Sequence, residues 1–207
     1  MDINELVNLC SKAWALPLLA AMSRGVDGRQ ALLVRETGAG RTAFRQSLDH
    51  CIDLDLIERN PGHGHPLRPE FRLTADGSRW AALANGIVST AGKDGQEILR
   101  LTWPVPVLAA LPDHNRFRQL KSALPGITDR ALSQALVRLE TAAWVEREVL
   151  PDVRPPVALY KPVGVGADIS AILRDFGFRG EDAALAQSPA TKKAHSPSGV
   201  MPTRKKL

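Results

Sequence analysis

Residues 116–148 read RFRQLKSALPGITDRALSQALVRLETAAWVERE, and this stretch decides the fold. Phe117, Leu120 and Leu124 recur at spacings of three and four, which predicts a short amphipathic helix. Pro125-Gly126-Ile127 breaks that helix, and Thr128 is a good N-cap for the next one. Beyond it, Ala131, Leu132, Ala135, Leu136 and Leu139 form one apolar stripe. Asp129, Arg130, Ser133, Gln134 and Val137 occupy the opposite face. From Trp144 to Leu150 the sequence is β-rich and alternating, with Trp144, Glu146 and Glu148 in one phase and Val145, Arg147 and Val149 in the other. After a turn region at Pro151 to Pro156, Val157 to Tyr160 completes a hairpin. Outward from this centre, Ile98 to Leu111 is apolar at helical spacing, with Pro104 and Pro106 bending or delaying its start. Gly166 to Phe176 reads as a closing helix. Helix, helix, tight turn, helix and hairpin is the order of a winged helix-turn-helix, in which the outer face of the last core helix enters a major groove.

The chain repeats itself. Trp14-Ala-Leu-Pro-Leu-Leu-Ala-Ala-Met22 resembles Trp103-Pro-Val-Pro-Val-Leu-Ala-Ala-Leu111, 89 residues later. Ala43 to Leu48 resembles Ala131 to Leu136 at an offset of 88, and Leu56 to Arg59 falls on Trp144 to Arg147 at the same offset. Phe71 to Gly77 falls on Ala158 to Gly164 at an offset of 87. The order is kept throughout, which predicts two copies of one module over residues 1–90 and 91–178, meeting near Ala91 to Gly95. The expected fold is mainly α with small β-hairpin wings: two tandem winged helix-turn-helix domains, the first divergent between Ser23 and Gly40.

The second copy resembles the HxlR-type transcriptional regulators, close to the MarR group. Arg116-Phe117, Leu120-Lys121, Leu124 to Ile127, Leu132 to Gln134, Leu136, Leu139-Glu140 and Val145 to Arg147 carry the resemblance, with Pro155 to Val157 and Tyr160 in the wing. It covers roughly residues 98–175 and implies a cytoplasmic, nucleoid-associated bacterial DNA-binding regulator, normally a homodimer on a two-fold operator. Lys161-Pro162 stands where the family usually has Leu-Thr, while the first copy keeps Leu73-Thr74. Val137 stands on the outer face, where the family pattern leads to a polar or basic residue.

Candidate DNA-contacting residues follow from the predicted helix faces and wings. In the first copy the helix's outer face is Arg41, Thr42, Arg45, Gln46 and Asp49, of which the first four are candidates, joined by Arg59, Arg68 and Arg72 on the hairpin, together with His63 and His65. Arginine and glutamine suit paired hydrogen bonds to guanine and adenine edges. The acids Asp49, Asp53, Asp55 and Glu58 are expected at the far end of that helix, away from the groove. In the second copy the candidates are Thr128, Arg130, Ser133, Gln134 and Arg138 on the helix, and Arg147, Arg154 and Lys161 on the wing. Each arginine has a plainer reading as a solvated surface residue or the partner of a nearby acid.

Composition narrows the remaining classes. The chain has 207 residues, 44% hydrophobic and 24% charged, which is ordinary globular composition. The net charge is +5. Five basic residues, Lys192, Lys193, Arg204, Lys205 and Lys206, lie with no acid in residues 188–207. Removing them from the 27 basic residues leaves as many as the 22 acids, so the first 187 residues are formally neutral. Residues 179–207 read as a disordered basic tail, either a polyanion anchor or a solubilising terminus. No apolar run approaches the ~20 residues of a membrane span, and the early acids do not resemble a secretory leader.

Cys10 and Cys51 make no disulfide framework or zinc pattern. Cys51 aligns with Leu139 on the buried stripe and reads as a core thiol; Cys10, in an amphipathic first helix, is either core or a redox switch of the kind the family implies. His63-Gly-His65 lacks a third metal ligand and reads as a wing tip. Trp14, Trp80, Trp103 and Trp144 are expected in the core. No phosphate-binding glycine loop, nucleophile elbow or supported acid pair is present, so neither catalysis nor a cofactor is expected.

The expected partner is double-stranded DNA, with another protein of the transcription machinery as a further candidate and no membrane. Two linked, unequal modules would act as an intrachain pseudo-dimer, making the chain a self-sufficient monomer; a homodimer is the other arrangement. The rival reading is a tandem winged-helix module for protein–protein interaction or a chromosome-associated scaffold, which the neutral balance of the first 187 residues favours.

Overall fold

A computed structural model describes residues 1–65, 68–150 and 156–178. Among them the chain opens with helix α1 (Ile3–Cys10), capped by the Asp2 carboxylate on the Asn4 N–H at 2.9 Å. Then come α2 (Ala15–Ser23), α3 (Gln30–Thr37), α4 (Arg41–Asp53), the antiparallel pair β1 (Ile57–His65) and β2 (Arg68–Leu73), and α5 (Ala75–Ala91). A short α6 (Gln96–Leu99) leads to α7 (Pro104–Ala110), α8 (Phe117–Ala123), α9 (Asp129–Thr141), the antiparallel pair β3 (Val145–Leu150) and β4 (Val157–Pro162), and α10 (Val165–Phe176). This is a mainly helical fold with two small strand pairs, consistent with a winged helix-turn-helix. Among the described residues no single helix is long and apolar enough to cross a membrane.

Local chemistry explains the boundaries. The apolar run at Ile98 to Leu111 is two helices and not one, because Pro104 starts α7 afresh. Pro104 and Pro106 fall at its first and third positions, where the backbone N–H has no intrahelical partner and its loss costs nothing. The first intrahelical bond runs from the Val107 N–H to the Trp103 carbonyl at 2.9 Å. α2 and α7 are buried almost all round, as expected of helices at the centre of a core.

The joints of the two halves match in detail. α4 and α9 both have 13 residues and begin 88 apart. Each ends in a Schellman motif: Leu56 N–H donates to the Cys51 carbonyl and Asp55 N–H to Ile52, just as Trp144 does to Leu139 and Ala143 to Glu140. The left-handed residue is not glycine in either case; Asp55 and Ala143 both have φ of 56°. Thr74 N–H bonds the Leu56 carbonyl, and Val163 N–H bonds that of Trp144. Gly77 and Gly166 admit α5 and α10 against those same two carbonyls. Phe71 N–H bonds the Gly28 carbonyl and Tyr160 N–H that of Asn115. Phe71 therefore answers to Tyr160 and Gly77 to Gly166, at an offset of 89. The sequence alignment at 87 places the return strand two residues out.

The halves share one continuous apolar core. α5 packs on α10, with Gly86 beneath Ile172. The Trp80 ring lies 5.4 Å from Phe176 and 5.9 Å from Phe178. α1 packs on α7, the Met1 amino group bonds the Gly177 carbonyl at 3.2 Å, and the Arg100 guanidinium sits 4.9 Å above the Trp14 ring. Trp80 and Trp144 are buried as expected, whereas Trp14 and Trp103 are half-buried and cap the N-termini of α2 and α7.

Candidate nucleic-acid interface

Two exposed helix faces and two hairpins carry the candidate residues. On α9 the apolar stripe seats the helix: Leu132, Ala135, Leu136 and Leu139 are buried. Burying one such leucine contributes about 1.5–3 kcal/mol, so the orientation of the helix is set from its inner side. Arg130, Ser133, Gln134, Val137 and Arg138 are all left facing outward. Thr128 caps the helix, its hydroxyl accepting the Ala131 N–H at 3.1 Å. Its placement is thus that of a structural residue at the entry to the face.

The tight turn before α9 is held from α8. The Lys121 ammonium donates to the Ile127 carbonyl and pairs with Asp129 at 3.2 Å. This ties down the only acid in the first turn of α9. Among the described residues no acid pairs with Arg130 or Arg138, and a guanidinium free of a carboxylate is available to a phosphate or a guanine edge. The wing rises beyond the core: Val145 is buried, while Glu146, Arg147, Glu148 and Val149 are exposed, and so is Lys161 on the returning strand. Arg147 and Val149 leave the core although they share the phase of Val145, because the hairpin projects past the helices that cover its base. Arg154 lies outside the described residues.

α4 presents Arg41, Thr42, Arg45 and Gln46 outward. Its electrostatics differ from those of α9. Arg45 is clamped by Asp49, one turn on, with its Nε 3.0 Å from the carboxylate. Asp49 lies exposed on the outward face beside Arg45, where the helix pattern puts it, and not only toward the helix's far end. Arg72 is likewise bound, donating across the strand pair to Glu58 at 2.7 Å, its register partner. Arg59 is exposed on β1. Arg68 opens β2, but its side chain, like those of His63 and His65, lies outside the described ones, as does the tail at 179–207. Both arginine pairs are exposed, so each stabilises the fold by at most about 1 kcal/mol. Their effect is on charge: Arg45 on the first face and Arg72 on its hairpin are neutralised from within, while among the described residues no acid pairs with Arg41.

Both thiols are inside. Cys10 and Cys51 are buried, and loss of solvation pushes each up from 9.0 to about 12. A thiol held protonated and covered is a poor nucleophile, so the core reading fits Cys10 better than a redox role. Among the described residues no group of three or more His, Cys, Asp or Glu side chains is placed to hold a metal ion.

A helix seated by its inner stripe, entered through a tight turn and flanked by a projecting hairpin, is the arrangement of a winged helix-turn-helix unit, and the second half has it. Residues 98–185, less than half of the chain, match the family described as HxlR-like helix-turn-helix. No curated protein and no solved structure matches the chain.

Proposed function

We propose that the chain regulates transcription by gripping duplex DNA with two winged helix-turn-helix units, residues 1–90 and 91–178, acting as a pseudo-dimer within one polypeptide. The carrying observation is that α4 and α9, equal in length and in their C-terminal hydrogen bonds, both turn a polar and arginine-bearing face outward. The packing of α5 on α10 supports the reading, since it joins the two units through their closing helices. On this proposal Arg41, Thr42, Arg45, Gln46, Arg130, Ser133, Gln134 and Arg138 face the groove. Arg59, Arg68, Arg72, Arg147, Arg154 and Lys161 approach the backbone.

The test is binding of the full chain to random and genomic duplexes across a salt series, with light scattering of the free protein and of the complex. Counterion release makes non-specific binding fall steeply with salt, while a specific site survives. A selected site held at salt that strips random DNA, by one chain per site, is the expected result. An obligate dimer in both states overturns the pseudo-dimer. Binding with no sequence preference at any salt overturns the regulator.

A further inference from the structure

We infer that Val137 is a specificity-determining residue of α9 that packs on the 5-methyl group of a thymine. This rests on the DNA-reading proposal above. A lone exposed valine on an open surface carries no message; the position of this one does. It is 59% exposed, the barest of the large apolar side chains among the described residues. Ser133 and Gln134 lie one turn before it and Arg130 two turns before it, so it continues the stripe that faces the groove. Arg138 adjoins it, and neither arginine is paired with an acid among the described residues. Positive charge therefore brings the phosphate backbone to a face whose centre is an isopropyl group. In a major groove the thymine 5-methyl is the one apolar feature that a base pair offers.

Comparison of the two helices sharpens the point. At the offset of 88, the outward residues pair as Thr42 with Arg130, Arg45 with Ser133, Gln46 with Gln134, and Asp49 with Val137. Only the glutamine is shared. Where α9 has a bare valine, α4 has a carboxylate that holds Arg45. The two faces cannot ask for the same bases, and the methyl requirement belongs to the half-site under α9 alone.

The experiment uses the full chain. A duplex site is selected from a random pool, footprinted, and resynthesised with each thymine in turn replaced by deoxyuridine, which lacks only the methyl group. One substitution, in the half protected by α9, is expected to weaken binding about fourfold, the value of one buried methyl or methylene. In Val137→Ala that difference disappears; in Val137→Thr, which keeps a γ-methyl, most of it remains. Circular dichroism and a retained footprint verify that the exposed substitution leaves the fold intact. A selected site with no deoxyuridine-sensitive thymine under α9, or a sensitivity undiminished in Val137→Ala, overturns the assignment and leaves the DNA-reading proposal standing. Failure to select any site overturns both.

Discussion

Replacing Gly166 with alanine tests the joint on which each wing turns. A Cβ built at Gly166 would lie 2.0 Å from the Trp144 carbonyl oxygen and 2.9 Å from the Trp144 Cβ. At Gly77 it would lie 1.8 Å from the Leu56 carbonyl oxygen. An ordinary carbon–oxygen contact is about 3.3 Å or longer, so the closing helix must retreat by more than an ångström. The obstacle is backbone in both halves, and it cannot rotate away as a side chain would. That carbonyl also accepts the Val163 N–H in the second half and the Thr74 N–H in the first, so retreat strains a hydrogen bond as well. Overpacking of this kind costs about 1–3 kcal/mol, and backbone obstruction puts both variants at the upper end. Gly86→Ala is the internal control. Its Cβ would meet only the Ile172 side chain, Cγ2 at 3.5 Å and Cδ1 at 3.8 Å, ordinary contacts, and a helical Gly→Ala change gains about 0.5–1 kcal/mol. Urea unfolding followed by circular dichroism gives the three midpoints. The expected order is Gly77→Ala and Gly166→Ala well below the wild type, and Gly86→Ala at or above it. A stable Gly166→Ala or Gly77→Ala would refute the close approach, and a large loss in one alone would refute the equivalence of the two joints.

Arg130→Ala is expected to remove about 1–3 kcal/mol of discrimination at one base pair of a selected site. Arg45→Ala should remove less, because Asp49 already holds that guanidinium; equal losses in competition binding would count against the charge asymmetry. The buried thiols predict an alkaline weakness. Above pH 9 the unfolded chain releases thiol protons that the folded chain retains, so stability falls as pH rises from 9 towards 12. The slope for two thiols is about 2.7 kcal/mol per pH unit, and unfolding at pH 8 and pH 10 should show it in the wild type and not in a Cys10→Ala, Cys51→Ala double variant. Ala143→Gly relieves a left-handed alanine at φ 56°, a strain of about 1–2 kcal/mol, partly offset by the extra freedom of glycine in the unfolded chain. A midpoint below the wild type would mean that the strain is absent.

What could be read from the sequence depended on how local its cause was. α9 was legible residue by residue, because a strong apolar stripe, a breaker before it and a good N-cap are all written within 17 residues. Of the predicted stripe only Ala131 is less than fully buried. α3 was not legible: it buries Leu33 alone, so its period is too faint to stand out. The return strand was misregistered by two because a strand has period two, and a slip of two keeps every side chain on its face. The backbone bonds of Phe71 and Tyr160 and of Thr74 and Val163, with the approaches of Gly77 and Gly166, resolve it. The clasp of Arg45 by Asp49 was present as an i, i+4 pair on the predicted outer face, but the sequence does not say whether two exposed charges close on each other. Contacts between the halves, such as Trp80 against Phe176 and Phe178, join residues about 96 apart and have no local signature.

The proposed pairing of two units in one chain changes what symmetry requires. In a homodimer every substitution on the reading helix appears twice, so the two faces stay identical and the target stays palindromic. On the proposed function two units in one chain are released from that constraint, and the two halves are alike to different degrees in their joints and on their faces. The buried joints have kept their geometry: the Schellman closures, the glycine approaches and the φ of 56° recur in both halves. The outward positions have not, with Asp49 against Val137 and a clamped Arg45 against Ser133. Core positions are held by packing, which penalises each change, whereas a reading face is held only by what it reads. Differing outward residues on conserved joints are what two units reading different half-sites would leave. On the proposed function they give the bound protein a direction on DNA, with α9 over one half and α4 over the other.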